Sequence, residues 1–302
     1  MKYFQNHVHG MEGLCNQLMA LYRALSEAFL CTEQGEPACI ILADGQTRNF
    51  INLTDEPFFS PLSIDAFIEV DQFQAVLSSR SVSLLRLRDA ESLSEPVVKC
   101  SRFPISTLTP EEARNTGIWI ATSIPFAARP LRLAQMIIAS MSCYPKWAAF
   151  QLRIEGDILY GQEAMNISLE DYAQQYVHRA ADHLAQFPAM SAVYIATGVE
   201  EEVLRRASKE LTERFPDTVL LNKKEILRLS PVLWGEFQAL SLEEQAMVDW
   251  LVCLDAPHFL GPHGNSFSYL AGYMRHYRGL DPESTLLWPE YQPYWDLWFP
   301  RV

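Results

Sequence analysis

The sequence predicts an α/β fold made of two doubly wound lobes with a cleft between them. Three observations carry this reading. The chain opens with a strand-length run, a loop, a helical apolar stripe and a second strand-length run, a βαβ unit that favours a parallel sheet. Past residue 126, strand-length apolar runs alternate with amphipathic helical segments. The 302 residues suffice for one large domain or two medium ones, with a sizeable core.

The elements follow in order. Residues 3–9 carry a short β pattern, and 10–16 read as a loop. Leu14, Leu18, Leu21, Leu25 and Phe29 then recur at helical spacing, and 38–42 form an apolar run of strand length. Between 50 and 120 the pattern weakens. Residues 57–61, bounded by Pro57 and Pro61, read as a loop, and 82–87 and 118–121 as strands. Residues 131–141 form a helix with Leu133, Met136, Ile137 and Met141 as its apolar stripe. Strands are expected at 147–154, 192–197, 218–221 and 258–261, and helices at 169–187, 200–215, 242–254 and 266–277. The aromatic and proline-rich tail at 288–298 is expected to pack across the lobes.

Composition narrows the function. Hydrophobic residues make up 49% and charged residues 20%, ordinary for a globular protein. The net charge of −13 speaks against a nucleic-acid binder, which needs a basic face. An acidic protein that binds an anionic ligand must concentrate its cations locally. The six cysteines show no CxxC spacing and read as buried free thiols. No apolar run reaches the ~20 residues of a membrane span, and the first ten residues lack a signal-peptide core, so the chain reads as cytoplasmic. The triplets starting at Asn52 and Asn166 fit the glycosylation pattern, which matters only in a secreted chain.

Four segments carry chemistry, and most fall where strands end in loops, the place where open α/β sheets bind ligands. The first holds Gly10, Gly13, Asn16 and Gln17. Glycines let backbone approach a ligand, and the following helix offers N–H groups; a plain strand-to-helix turn fits equally well. The second is Gln151-Leu152-Arg153 at the end of an apolar strand. A guanidinium there can hold two phosphate oxygens, or it can pair with Glu155 or Asp157 at the surface. The third is the strand ending in Thr197 and Gly198. The fourth combines Asp249 on a helix with the turn Gly264-Asn265-Ser266-Phe267 that opens the next helix. That turn is a plausible anion site, and a buried carboxylate at Asp249 can accept from the N1 and N2 edge of guanine; a solvated helix position is the alternative.

In this order the segments resemble the O-fucosyltransferase family: the plant-type members and, more distantly, the protein O-fucosyltransferases and α1,6-fucosyltransferases. Gly13-Leu14-Cys15-Asn16-Gln17 resembles the family's opening glycine–asparagine motif. Gln151-Leu152-Arg153 resembles its His-x-Arg element, and Tyr194-Ile195-Ala196-Thr197-Gly198 its central strand. Asp249 followed by Asn265, Ser266 and Phe267 is similar in spacing to its donor-binding tail. The resemblance implies a GT-B fold with two Rossmann-like lobes. It assigns residues 1–125 to the acceptor-side lobe, 126–285 to the nucleotide-sugar lobe and 286–302 to the aromatic tail. It also implies an inverting, metal-independent enzyme that moves fucose from GDP-fucose to a hydroxyl, with no cofactor. Arg153 would hold the β-phosphate, and Asn16 would sit near the phosphate or the sugar. Asp249 would read guanine, and Ser266 and Phe267 would contact phosphate and nucleoside.

Two departures matter. Gln151 stands where relatives often have histidine; it can hydrogen-bond but cannot titrate. Glu12 stands where many plant-type members have glycine, and it is a candidate acceptor base. Some plant-type relatives use UDP-rhamnose. A non-catalytic nucleotide-sugar-binding protein on the same scaffold is the main rival. A nicotinamide dehydrogenase wants a GxGxxG loop, which Gly10 and Gly13 fail to supply. His7, His9, His258 and His263 offer no metal-ligand set at a known spacing. The acceptor, protein or glycan, is not legible.

Overall fold

The computed structural model describes residues 1–8, 12–48, 59–101, 109–154, 168–187 and 189–288. Its architecture is α/β, with two parallel sheets. The first begins with β1 (Lys2–Asn6), α1 (Leu14–Glu33) and β2 (Ala38–Leu42), the expected βαβ unit. His9 of the expected first strand lies outside the described residues. Leu14, Leu18, Leu21 and Leu25 recur at helical spacing, and Cys15, Met19, Ala20, Tyr22, Ala24 and Ala28 are buried as well, so α1 is a core helix covered on most of its sides. It ends at Gly35, whose φ of 77° suits a left-handed cap, and whose N–H donates to the Thr32 carbonyl.

Next come β3 (Gly45–Arg48) and β4 (Phe59–Leu62), an antiparallel pair. This corrects the loop expected over 57–61 from Phe59 onward; residues 57 and 58 lie outside the described residues. Proline is tolerated at Pro61 because the ribbon has just two strands, so every strand in it is an edge. Helix α2 (Val70–Ser78), β5 (Val82–Arg86) and β6 (Val97–Cys100) follow. The sheet order is β5-β2-β1-β6. The winding reverses between β1 and β6.

A second correction concerns residues 118–121, expected as a strand. They belong to α3 (Pro110–Ser123). Thr109 and Glu112 form a capping box, and Pro110 occupies the first turn, so the start signal lies well upstream of the apolar run. Within the run Trp119 and Ile120 are buried while Ile118 is 42% exposed, a helical rather than an all-buried pattern.

Helix α4 (Ala128–Met141) leads to the second sheet. The elements are β7 (Trp147–Gln151), α5 (Leu169–Leu184), β8 (Ala192–Ala196), α6 (Glu201–Arg214), β9 (Val219–Leu221), α7 (Lys223–Leu227), α8 (Pro231–Gln238), α9 (Leu242–Asp255), β10 (His258–Pro262), α10 (Ser266–Tyr277) and β11 (Thr285–Trp288). The sheet order is β11-β10-β7-β8-β9, with every pair parallel. Counted along the chain, this is the Rossmann order 3-2-1-4-5. Leu286, Leu287 and Trp288, expected to open the tail, form its edge strand; residues 289–302 lie outside the described set.

The side-chain alternation fits two covered faces. Trp147, Ala149, Ala192, Tyr194 and Ala196 join the core shared with the first sheet, α4, α9 and α10. Ala148, Phe150, Val193 and Ile195 join a second core under α5 and α6. A period of two placing opposite faces in different cores is the signature of a doubly wound sheet. All six cysteines are free; Cys143 is exposed and the other five are buried. Among the described residues no helix is long and apolar enough to cross a membrane.

Candidate functional site

In a sheet of this order the crevice opens between the carboxyl ends of the strands where winding reverses, here β7 and β10. Gln151 is the last residue of β7 and 5% exposed. Its side-chain Oε1 accepts a hydrogen bond from Ser268 Oγ in the first turn of α10. Its carbonyl accepts from Tyr176 Oη at 2.9 Å. Gly261 of β10 lies against that pair. A Cβ there would stand 2.1 Å from Ser268 Oγ and 2.7 Å from Ser268 Cβ, so α10 can press onto β10 in this way only over a glycine.

Helix α10 is capped by Asn265, whose Oδ1 accepts from the Phe267 N–H at 2.8 Å. Ser266 and Phe267 are half-buried at the helix start, and Phe267 packs on the main core. Arg153 follows β7 and is half-buried. Glu155 and Asp157, its alternative partners, lie outside the described residues. Gln151 therefore meets the start of α10 at the carboxyl ends of β7 and β10, where Asn265, Ser266 and Phe267 open the helix, and Arg153 lies two residues past Gln151 in the chain. The neutral cap leaves the positive end of the α10 dipole uncompensated by any acidic residue in its first turn.

Asp249 takes a different place. It sits in α9 and is 3% exposed, which excludes the solvated alternative. Tyr194 Oη donates to Oδ1 at 2.6 Å. Lys223 Nζ donates to Oδ2 and to the Thr197 carbonyl, the latter at 2.6 Å. The carboxylate assigned to guanine is thus committed to internal donors. Burial, followed by the charge of Asp249, holds the Tyr194 hydroxyl well above its usual range, so it remains a donor. Burial first, with Asp249 again, does the same to the Cys253 thiol.

The N-terminal segment ends β1 of the first sheet. Glu12 is 7% exposed, and Gly13 is the N-cap of α1. Gln17 ties the segment down: its Nε2 donates to the Glu12 carbonyl at 2.9 Å and the Gln46 carbonyl at 2.8 Å, and its Oε1 accepts from the Gln46 N–H at 2.9 Å. Asn16 is half-buried in the first turn, and its N–H donates to the Gly13 carbonyl. Gly13 has φ −72°, which any residue adopts. Gly10 lies outside the described residues, as do Asn52 and Asn166.

Sequence reading missed Ser268, Lys223 and Lys224. The last two follow Asn222, which with Glu225 forms a capping box, a signal for a short helix straight after β9. It also missed the buried Arg275, which donates to the carbonyls of Cys253, Leu254 and Ala256 and so closes the end of α9. Among the described residues no cluster of His, Cys, Asp or Glu is arranged to hold a metal ion.

No family model and no curated protein matches the sequence. Solved structures do match the fold. POFUT1 in complex with GDP-fucose aligns with a TM-score of 0.57 at 9% identity, covering 95% of this chain and 98% of that one. NodZ α-1,6-fucosyltransferase co-crystallised with GDP aligns with a TM-score of 0.52 at 12% identity, covering 92% of each chain. The chain is thus structurally a distant neighbour of the fucosyltransferases, and it shares their fold over nearly its whole length.

Proposed function

We propose that this chain is an inverting, metal-independent glycosyltransferase that moves fucose from GDP-fucose to a hydroxyl acceptor. In this reading it is a GT-B protein, with residues 1–125 as the acceptor-side lobe and 126–285 as the donor lobe, facing each other across a cleft. The observation that carries it is the crevice between β7 and β10. There Gln151 at the end of β7, two residues before Arg153, is bonded to Ser268 in the first turn of α10, in a fold shared with proteins solved with GDP-fucose or GDP.

Arg153 binds the β-phosphate of the donor through its planar fork of donors. The bond between the sugar carbon and the phosphate oxygen breaks early, and negative charge grows on the leaving diphosphate. Arg153 and the α10 amides stabilise that charge more in the transition state than in the ground state, which is what lowers the barrier. The acceptor hydroxyl attacks from the opposite face, and its proton passes to Glu12 or to water. An early-breaking bond makes a strong base dispensable, so Arg153→Ala loses far more rate than Glu12→Ala.

The test is calorimetry with EDTA present, using GDP, GDP-fucose, GDP-mannose, UDP and UDP-rhamnose on wild type and Arg153→Ala, followed by assay of GDP release with candidate acceptors. Metal-free GDP-fucose binding that needs Arg153 supports the donor site. Tight UDP-rhamnose binding retains a transferase but changes the donor. Donor binding with no GDP release for any acceptor favours a non-catalytic binding protein, in which the Gln151–Ser268 bond serves the fold.

A further inference from the structure

The carboxylate expected to read the base is engaged by Tyr194 and Lys223, and its hydrogen bonds lead back to the strand end that carries Arg153. Lys223 Nζ donates both to Asp249 and to the Thr197 carbonyl, the latter at 2.6 Å. Thr197 follows β8 and is 9% exposed. Its hydroxyl donates to the Leu152 carbonyl at 2.9 Å and accepts from the Val199 N–H at 3.4 Å. It therefore ties the turn after β8 to the segment after β7.

Leu152 is the residue before Arg153, and it is held on every side. Its N–H donates to the Ala196 carbonyl at 2.9 Å, and its side chain is buried in the core under α5 and α6. One position earlier, the Gln151 carbonyl accepts from Tyr176 Oη at 2.9 Å. Burial keeps its period of two beyond β7: Phe150, Leu152 and Ile154 belong to the core under α5 and α6, whereas Gln151 bonds to α10. An extended chain of that period puts Arg153 on the Gln151 side. The Leu152 carbonyl shares one planar peptide with the Arg153 nitrogen, so the Thr197 hydroxyl fixes the plane from which the arginine departs.

We infer that Thr197 is a positioning residue for Arg153, anchored in turn by Lys223 and Asp249. This rests on the reading of Arg153 as the phosphate ligand of the donor. A guanidinium that grips two phosphate oxygens must have its plane set as well as its charge, and a displacement of about 1 Å can cost about a hundredfold in rate. Asp249 thus serves the phosphate end of the nucleotide through the backbone, and its contribution is indifferent to the base.

A double-mutant cycle on the full chain, read by calorimetry with GDP, tests this. Thr197→Val keeps the side-chain shape and removes the hydroxyl. It is expected to weaken GDP about tenfold beside an intact Arg153, and less than about twofold once Arg153 is replaced by alanine. Thr197→Ser restores the hydroxyl and is expected to bring GDP affinity back to within about threefold of wild type. Asp249→Asn, with its Tm recorded alongside, is expected to weaken GDP and inosine diphosphate by the same factor, because the N2 amine that inosine lacks plays no part. An equal loss for Thr197→Val with and without Arg153 overturns the inference, since a general structural role gives that result. An Asp249→Asn loss confined to GDP also overturns it and returns the carboxylate to guanine. Should Thr197→Val fail to fold, Asp249→Asn in the same cycle with Arg153→Ala decides instead. Full GDP binding by Thr197→Val beside a weakened Arg153→Ala sinks the inference alone; full binding by Arg153→Ala sinks the donor-site reading and the inference with it.

Discussion

Replacing Lys223 by methionine tests the buried ion pair that organises the end of β8. The side chains of Lys223 and Asp249 are 7% and 5% exposed. Methionine fills most of the lysine volume, so the change is mainly electrostatic. It takes the Lys223 ammonium from the Asp249 carboxylate, which keeps the Tyr194 hydroxyl as a donor, and removes the donor to the Thr197 carbonyl. Stranding one partner of a buried pair costs about 3–5 kcal/mol. At roughly 2.1 cal/mol/K per residue over 302 residues, that is a fall in Tm of ~5–8 °C. The double variant Lys223→Met with Asp249→Leu removes both charges but leaves the buried Tyr194 hydroxyl without its acceptor, so it is expected to stay about 1–3 kcal/mol below wild type, well short of the sum of the single losses. Urea unfolding of wild type, both single variants and the double variant gives the coupling directly. A Lys223→Met loss under about 1 kcal/mol, or a double variant as unstable as the sum of the singles, would refute the account.

Further outcomes follow from the same geometry. Gly261→Ala forces a Cβ to within 2.1 Å of Ser268 Oγ; a loss of about 1–3 kcal/mol in chemical denaturation is expected, together with weaker nucleotide binding. Gln151→Leu leaves the buried Ser268 hydroxyl without its acceptor and is expected to cost about 1–3 kcal/mol, measured the same way. Arg275→Lys keeps the charge but cannot span the α9 carbonyls, Ser284 and Thr285 together; a drop of at least about 3 kcal/mol is expected. Burial holds His258 and His263 below the ordinary histidine pKa of 6.5. The unfolded chain then binds protons at a pH where the folded chain does not, so stability present above about pH 6.5 is lost as pH falls towards the lowered folded values. The Tm of wild type should decline over that window, and a His258→Phe, His263→Gln variant should decline less.

Much of the second sheet was legible because β7, β8 and β10 are compact apolar runs and α5 and α6 are strongly amphipathic. Helix α10 was located to the residue because Asn265 supplies the cap just ahead of its stripe. The errors fall where a short apolar run lacks such punctuation: 118–121 could not be told from a strand by periodicity, and the decisive signal, Thr109 with Glu112, lies upstream. At the site, Arg153, Ser266 and Phe267 were legible as motif residues. The engagement of Asp249 was not, because Tyr194 and Lys223 lie 55 and 26 positions away in sequence, and their meeting depends on how β8, α7 and α9 pack.

The two glutamines flagged by the sequence share one physical role. Gln17 bonds the opening segment to the Glu12 and Gln46 backbone, and Gln151 bonds the end of β7 to Ser268 at the start of α10. Each joins the end of a parallel strand, or the loop that follows it, to a neighbouring element with a neutral side chain that can both donate and accept. A histidine at 151 would change charge near pH 6.5 and would have to satisfy a buried serine in two protonation states. Glutamine satisfies it in one state at every pH. The Gln151–Ser268 contact is therefore fixed without using charge, and on the proposed function the positive charge offered to the leaving diphosphate comes from Arg153 and the α10 dipole. On the proposed function, glutamine in place of a histidine makes the end of β7 a positioning element rather than a proton carrier.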